Sequence, residues 1–229
     1  MPRKKAVQDD TARERLIQAA LAVFAKDGFD AATTRAIAAR AKVNLAAIPY
    51  YFGTKEHLYH EAIMALVEFI ESRFRAPREA IVAMLDQADL PRERLLSTLE
   101  ALAVGMVDTV TGPEIRAYAP LVMREHMMPG PAFEIFYDRL MRHQHEMLTR
   151  LVARLLCVPE DSREAMIRAQ MFFGQIFGFL VGRNLLVRRM GQEDYTPDDV
   201  AEIRRMVVEA LRRLFPDPGE SVPLKEGDA

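Results

Sequence analysis

Hydroxyls, phenols and a lysine cluster where helices begin. Thr33-Thr34-Arg35 opens one short apolar run, and Tyr50-Tyr51-Phe52-Gly53-Thr54-Lys55 closes a second and opens a third. The N–H groups and dipole at a helix N-terminus attract anions, so Thr34 and Lys55 are placed to grip phosphate, with the Tyr51 phenol beside them. Between these sites lies Asn44-Leu45-Ala46-Ala47. Small side chains let a helix backbone approach base edges in a major groove. Ala46 and Ala47 suit thymine methyls, and Asn44 caps the helix, reaches a base, or does both. Arg35 is long enough for guanine O6 and N7 or for a phosphate. This is chemistry for recognising a polyanion.

Such side chains need short helices held at a fixed angle. Leu16, Ile17, Ala20, Leu21 and Phe24 predict a helix over 11–27, stopped by Gly28. Thr33-Thr34 supplies hydroxyls to cap a helix from Arg35 to Ala41, with Ile37 and Ala38 inward. Val43 marks a turn, Asn44 caps a helix from Leu45 to Tyr51, and Thr54 caps a long helix from Lys55. Tyr59, Ile63, Leu66, Val67, Ile70 and Phe74 stripe that helix to about Phe74. Three short helices with a brief turn between the second and third form a helix-turn-helix plan. Tyr50 and Phe52 read as core staples of the recognition helix, and Lys55 has Glu56 and Glu61 as alternative partners. Residues 1–10 read as a basic disordered arm whose Arg3-Lys4-Lys5 either contacts DNA or is a solvated charge run. Beyond Pro77, helices are expected at 78–88, 92–109, 114–127, 131–156, 162–188 and 197–214, with prolines near the breaks. The Pro- and Gly-rich tail 216–229 reads as disordered.

Charge follows the same division. The 229 residues carry a net −2, but residues 1–57 hold ten Lys/Arg against six Asp/Glu, a balance of +4, and the remainder stands at −6. A basic head on an acidic body suits a chain that meets polyanion at one end. Leu, Ala, Met, Glu and Arg dominate, which predicts an all-α protein. The single cysteine, Cys157, excludes an internal disulfide and fits a reducing compartment. No signal-peptide core follows Met1, and the apolar stretch Met171–Val187 is interrupted by Gln175, Arg183 and Asn184. A cytoplasmic protein with no membrane partner is expected.

The stretch Ala32-Thr33-Thr34-Arg35-Ala36-Ile37-Ala38, followed by Tyr50-Tyr51-Phe52-Gly53-Thr54-Lys55-Glu56-His57-Leu58, resembles the signature of TetR-type transcriptional regulators. Val43-Asn44-Leu45-Ala46-Ala47-Ile48 resembles the CerR/CecR subgroup, whose distinctive C-terminal domain the rest of the chain also resembles. The resemblance implies an N-terminal three-helix helix-turn-helix domain (11–55) followed by a larger helical ligand-binding and dimerisation domain (56–215). It implies a homodimeric repressor that holds a palindromic, double-stranded operator until a small-molecule effector, of identity unknown from sequence, swings the long helix from Lys55. One position departs from the pattern. Where the resemblance implies a DNA-facing tyrosine or polar residue stands Pro49, and a proline inside a short helix removes an N–H bond and kinks the last turn.

In the body, 131–156 and 162–188 resemble the paired dimerisation helices of that family. Gly174, Gly178 and Gly182 recur every four residues on one helical face, with Phe173 and Leu180 near it, which predicts close helix–helix approach across a dimer. Met106, Tyr118, Met123, Arg124, His126, Met127, Phe136 and Phe177 are the candidates for an adaptable effector pocket; packing of the core is the alternative for each. Arg116, Arg124 and Arg183 lie in apolar stretches, so each is either paired internally or set to meet an acidic ligand. No Gly-rich phosphate loop, nucleophile elbow or CxxC pair is present, and His57 with His60 has no supporting ligand cluster, so neither an enzyme, a metal nor a cofactor is expected. The alternative from another class is a constitutive helix-turn-helix factor, activating or architectural, with no ligand.

Overall fold

The computed structural model describes residues 3–215, and side chains from residue 11 onward. Met1, Pro2 and the expected tail 216–229 lie outside the described residues. The described backbone is helical, with no strand among those residues. It divides into two compact units, one of residues up to 80 with 113–144 and one of residues 81–112 with those from 145 onward.

The first unit holds α1 (Arg3–Ala31), α2 (Thr34–Ala41), α3 (Ala47–Phe52), most of α4 (Lys55–Leu85), α6 (Pro113–Arg116), α7 (Ala119–Met127) and α8 (Phe133–Phe136). α1 begins at Arg3, so its helical backbone takes in most of the segment expected as an arm. Gly28 breaks α1 at the expected stop, with φ of 79°. A side chain is strained there by the backbone, and a Cβ would also have to displace the Arg124 guanidinium. Leu16, Ala20 and Phe24 of α1 are buried with Ile37 of α2, Ile48 of α3 and the Leu58, Ile63 and Leu66 stripe of α4. That shared core fixes the angles between the short helices.

Pro77 does not end α4. It removes one N–H from the ladder, and the Arg78–Glu71 ion pair at 2.6 Å spans it on the flank, with Arg75 paired to Glu68 at 2.9 Å just before it. The helix expected at 78–88 is therefore the end of α4. The helix expected at 114–127 is broken between α6 and α7, because Pro120 sits in the first turn of α7, where a proline starts a helix. From Phe133 the helical backbone runs on to Leu156, widened into a π turn over Tyr137–Met141 before α9 (Arg142–Leu156).

The second unit holds α5 (Arg92–Thr111), most of α9, α10 (Arg163–Val181), α11 (Arg183–Arg189) and α12 (Pro197–Leu214). α5 packs on α10 and α12, burying Leu99, Ala103, Val107, Phe172, Ile176, Val207 and Leu211. The expected single helix 162–188 is bent by 61° at Gly182. Beyond the bend, Arg183 is paired with Asp194 and donates to the Glu193 carbonyl, while the Tyr195 hydroxyl donates to the Phe179 carbonyl, so the 193–195 segment holds both sides of the break. Arg183 is thus the internally paired kind of arginine.

Several helix C-termini of this unit are closed by guanidinium groups from elsewhere in the chain. Arg92 donates to the carbonyls of Leu155 and Phe215, each at 2.7 Å. Arg154 donates to Leu85, Gln87 and Ala88, and Arg168 to Leu214. Unsatisfied carbonyls carry the negative end of the helix dipole, so each cap combines hydrogen bonding with charge. No single helix among the described residues is long and apolar enough to cross a membrane.

Candidate nucleic-acid interface

The Thr33 hydroxyl caps α2, accepting the Ala36 N–H at 3.2 Å, which leaves Thr34 as the first helical residue and Arg35 exposed in the first turn. α2 ends at Lys42 in the left-handed region, φ 55°. The turn then passes to Asn44, whose Oδ1 accepts the Ala46 N–H at 2.8 Å and whose carbonyl accepts the Ala47 N–H at 2.9 Å. Asn44 is therefore engaged in capping. α3 starts at Ala47, two residues later than expected, and Leu45 and Ala46 stand exposed in the turn ahead of it.

Pro49 falls in the first turn of α3, where its missing N–H has no intrahelical partner to lose. The expected loss of an intrahelical bond therefore does not occur, and the last turn closes with the Pro49 carbonyl accepting the Gly53 N–H at 3.1 Å.

Ile48 and Phe52 lie four residues apart and are buried; Tyr50, two residues from each, points the opposite way and is 74% exposed. The reading of Tyr50 as a core staple is corrected, because the anchoring falls to Phe52. Tyr51 is half-buried with its ring edge-on to Tyr50, the centroids 4.8 Å apart. Arg13 pairs with Glu61 and lies 5.6 Å from the centroid of the Phe52 ring, so Glu61 is occupied by α1.

Lys55 is half-buried at the start of α4. Its Nζ donates to the Asp30 carbonyl at 3.2 Å and sits 4.6 Å over the Phe29 ring. One of its three donors is thus spent on the end of α1. A shallow groove of about 670 Å³ between α1 and α2 adds Arg15, Arg40 and Lys42 against a single carboxylate, Glu14. The face carrying Arg35, Lys42, Leu45, Ala46, Pro49 and Tyr50 is exposed, and basic side chains extend it.

The candidates in the body fall in different units. Met106 is buried in the second unit and Phe177 is half-buried there; the other six belong to the first. Phe136 is fully buried in that unit's core, Met123 is half-buried, and His126 and Met127 are exposed. Tyr118 and Arg124 turn to α1: the Tyr118 hydroxyl donates to Gln18 at 3.3 Å and Arg124 to the Phe24 carbonyl at 3.4 Å. On α10, a Cβ at Gly174 or Gly178 would meet nothing within 4 Å among the described residues beyond its own helix backbone and chain neighbours. Gly182 marks the bend, Leu180 is half-buried, and Phe173 packs its ring against His145, the centroids 5.1 Å apart.

Residues 16–62 match the family described as bacterial regulatory proteins, tetR family, and residues 91–215 match the C-terminal domain of the HTH-type transcriptional dual regulator CecR. The CecR protein of Shigella flexneri is 28% identical over 201 residues, covering 88% of this chain and 90% of that protein. The HTH-type transcriptional repressor KstR of Rhodococcus jostii is 31% identical over 119 residues, 49% of this chain and 56% of that one. Two solved structures share the fold. A SmeT–triclosan complex has a TM-score of 0.61 at 19% identity, with 95% of this chain and 98% of that one covered. FadR from Bacillus subtilis with stearoyl-CoA has a TM-score of 0.57 at 17% identity, with 86% and 96% covered. With a tetR-type reading head and a CecR C-terminal domain that alone covers more than half of its length, this chain belongs to the TetR family of transcriptional regulators, in the CecR branch.

Proposed function

We propose that this regulator is a ligand-responsive repressor that binds a palindromic operator as a homodimer and is released by a small-molecule effector, with residues 11–55 reading DNA and 56–215 carrying effector and dimer functions. The observation behind the reading is the two-faced head: Ile37, Ala38, Ile48 and Phe52 are buried, while Arg35, Leu45, Ala46 and the 74%-exposed Tyr50 face outward. Arg35, Asn44, Leu45, Ala46, Ala47 and Tyr50 meet bases; Thr34, Tyr51 and Lys55 meet phosphates.

The dimer contact is placed on α10. Ile167, Met171, Gly174, Gly178 and Val181 follow one another at spacings of four and three residues and are all exposed, a narrow apolar seam with two gaps for close approach. A dimer reads both half-sites when its recognition helices stand about 34–36 Å apart. Effector control is supported by SmeT and FadR, fold relatives seen with triclosan and stearoyl-CoA, and an effector that alters this separation releases the operator. The setting is the cytoplasm.

Fluorescence anisotropy tests the reading. The purified protein is titrated against a duplex that it selects from random sequence, and against scrambled duplex, at near-physiological salt. Tight binding to a palindrome by a dimer, weakened by an effector found in a metabolite screen, is the expected result. Absence of sequence preference refutes it.

A further inference from the structure

Two adjacent charged residues of α7 reach two different helices that carry the DNA-binding head, all within the first unit. Arg124 donates to the Phe24 carbonyl of α1, its guanidinium lying in the space that Gly28 leaves open. Glu125 is 4% exposed. Its Oε1 accepts the Tyr59 hydroxyl of α4 at 2.7 Å, and its Oε2 accepts the backbone N–H groups of Gly130 and Ala132 at 3.0 and 3.2 Å. One buried carboxylate therefore ties α4 to the turn that follows α7.

The chain of contacts continues. The Tyr59 ring stands edge-on to Phe24, centroids 4.8 Å apart, and against Phe29 at 4.9 Å. Phe29 lies under the Lys55 ammonium, and Lys55 opens α4 directly after the recognition helix and its turn. Burial and the hydrogen bond to Glu125 push the Tyr59 phenol up, so it remains a donor. A buried carboxylate is costly where an apolar side chain would fill the same space, and Glu125 offsets that cost with three donors drawn from two separate segments. An apolar residue there would leave those three donors without their acceptor and join nothing.

We infer that Arg124 and Glu125 are positioning residues for the DNA-binding head: the turn at 128–132 sets where Glu125 holds Tyr59, and Tyr59 sets the aromatic seat of Lys55 at the end of α1. Displacement of that turn releases Tyr59 and loosens the seat. The inference rests on the reading of the chain as a regulated DNA binder and names the residues that connect its body to its head.

The test compares the wild-type protein with Glu125→Gln, Tyr59→Phe and the double variant on the wild-type-selected duplex and on scrambled duplex. Tyr59→Phe deletes one oxygen and keeps the ring, and Glu125→Gln leaves one acceptor oxygen for the Gly130 and Ala132 N–H groups while replacing the charged acceptor of the Tyr59 hydroxyl with an NH₂. Each single variant is expected to bind the selected duplex about tenfold more weakly and the scrambled duplex only slightly more weakly. A misplaced head loses register on the operator while most sequence-independent phosphate contacts persist. The double variant is expected to match the singles, because both changes cut the same link. Amide exchange at Gly130 and Ala132 is expected to quicken in Tyr59→Phe, although neither amide touches Tyr59. A merely structural pair would lower the melting temperature and leave the affinity ratio of the folded protein intact. That result, or losses that add, overturns the inference. A wild-type protein that selects no duplex at all is a different outcome, and it overturns the DNA-binding reading underneath.

Discussion

Lys55→Ala separates two roles that one side chain holds at once. In the folded chain the ammonium bonds the Asp30 carbonyl at 3.2 Å and covers the Phe29 ring at 4.6 Å. A hydrogen bond of this kind contributes about 1 kcal/mol net, and a half-exposed cation–π contact about 0.5–1 kcal/mol. The loss is therefore about 1–2 kcal/mol, which for a chain of this size lowers the melting temperature by about 2–8 °C. A phosphate contact leaves a different trace. Each phosphate neutralised contributes about 0.9 to the slope of log K against log salt, so a dimer losing one contact per head loses about 1.8. Thermal melting and anisotropy titrations from 50 to 300 mM salt, roughly spanning the physiological range, read the two effects separately. A lower melting temperature with an unchanged salt slope would refute the phosphate assignment and leave Lys55 as a pin on α1.

Tyr50→Ala is expected to leave stability within about 0.5 kcal/mol, since the side chain is exposed, while weakening the selected duplex severalfold; equal binding in anisotropy would remove Tyr50 from the DNA face. Gly178→Leu adds a side chain where the described residues beyond its own helix leave open space, so the protein should fold as before but sediment as a monomer in analytical ultracentrifugation; a persistent dimer places the contact elsewhere. The raised Tyr59 pKa predicts alkaline instability. The unfolded chain releases this proton near pH 10 while the folded chain keeps it, so stability present below pH 10 declines above it. Urea midpoints from pH 9 to 11 should fall less steeply in Tyr59→Phe, and identical slopes would contradict the burial of that phenol.

Side-chain type and spacing made the first helices legible, because each carries its own boundary chemistry. Gly28 stops α1 and Thr33 caps α2 where those residues had to act. Proline was harder to read, since one residue type serves different purposes. Pro49 and Pro120 sit in the first turns of α3 and α7, the second expected to be continuous with the helix before it, and Pro77 sits inside a helix that the Glu71–Arg78 pair bridges. Only the neighbours of each proline distinguish these outcomes. Tyr50 was misplaced because α3 is too short for a periodic stripe, yet the pair Ile48 and Phe52 already defines its buried face and puts Tyr50 opposite. Glu125 left no trace in spacing. Its partners come from residues 59, 130 and 132, and only folding brings them together.

The arginine-closed helix ends of the second unit have a consequence for how freely this chain can drift. Arg92, Arg154 and Arg168 bond main-chain oxygens, which every amino acid supplies. The residues at exposed receiving positions can therefore be exchanged without losing the fastening, while Arg92 and Arg154 cannot, because a lysine lacks the planar fork with which each meets two or more carbonyls at once. Mutational tolerance should accordingly be lopsided where the receiving residue is exposed, strict at Arg154 and permissive at Gln87 and Ala88, whereas Leu155 is also held by its own burial.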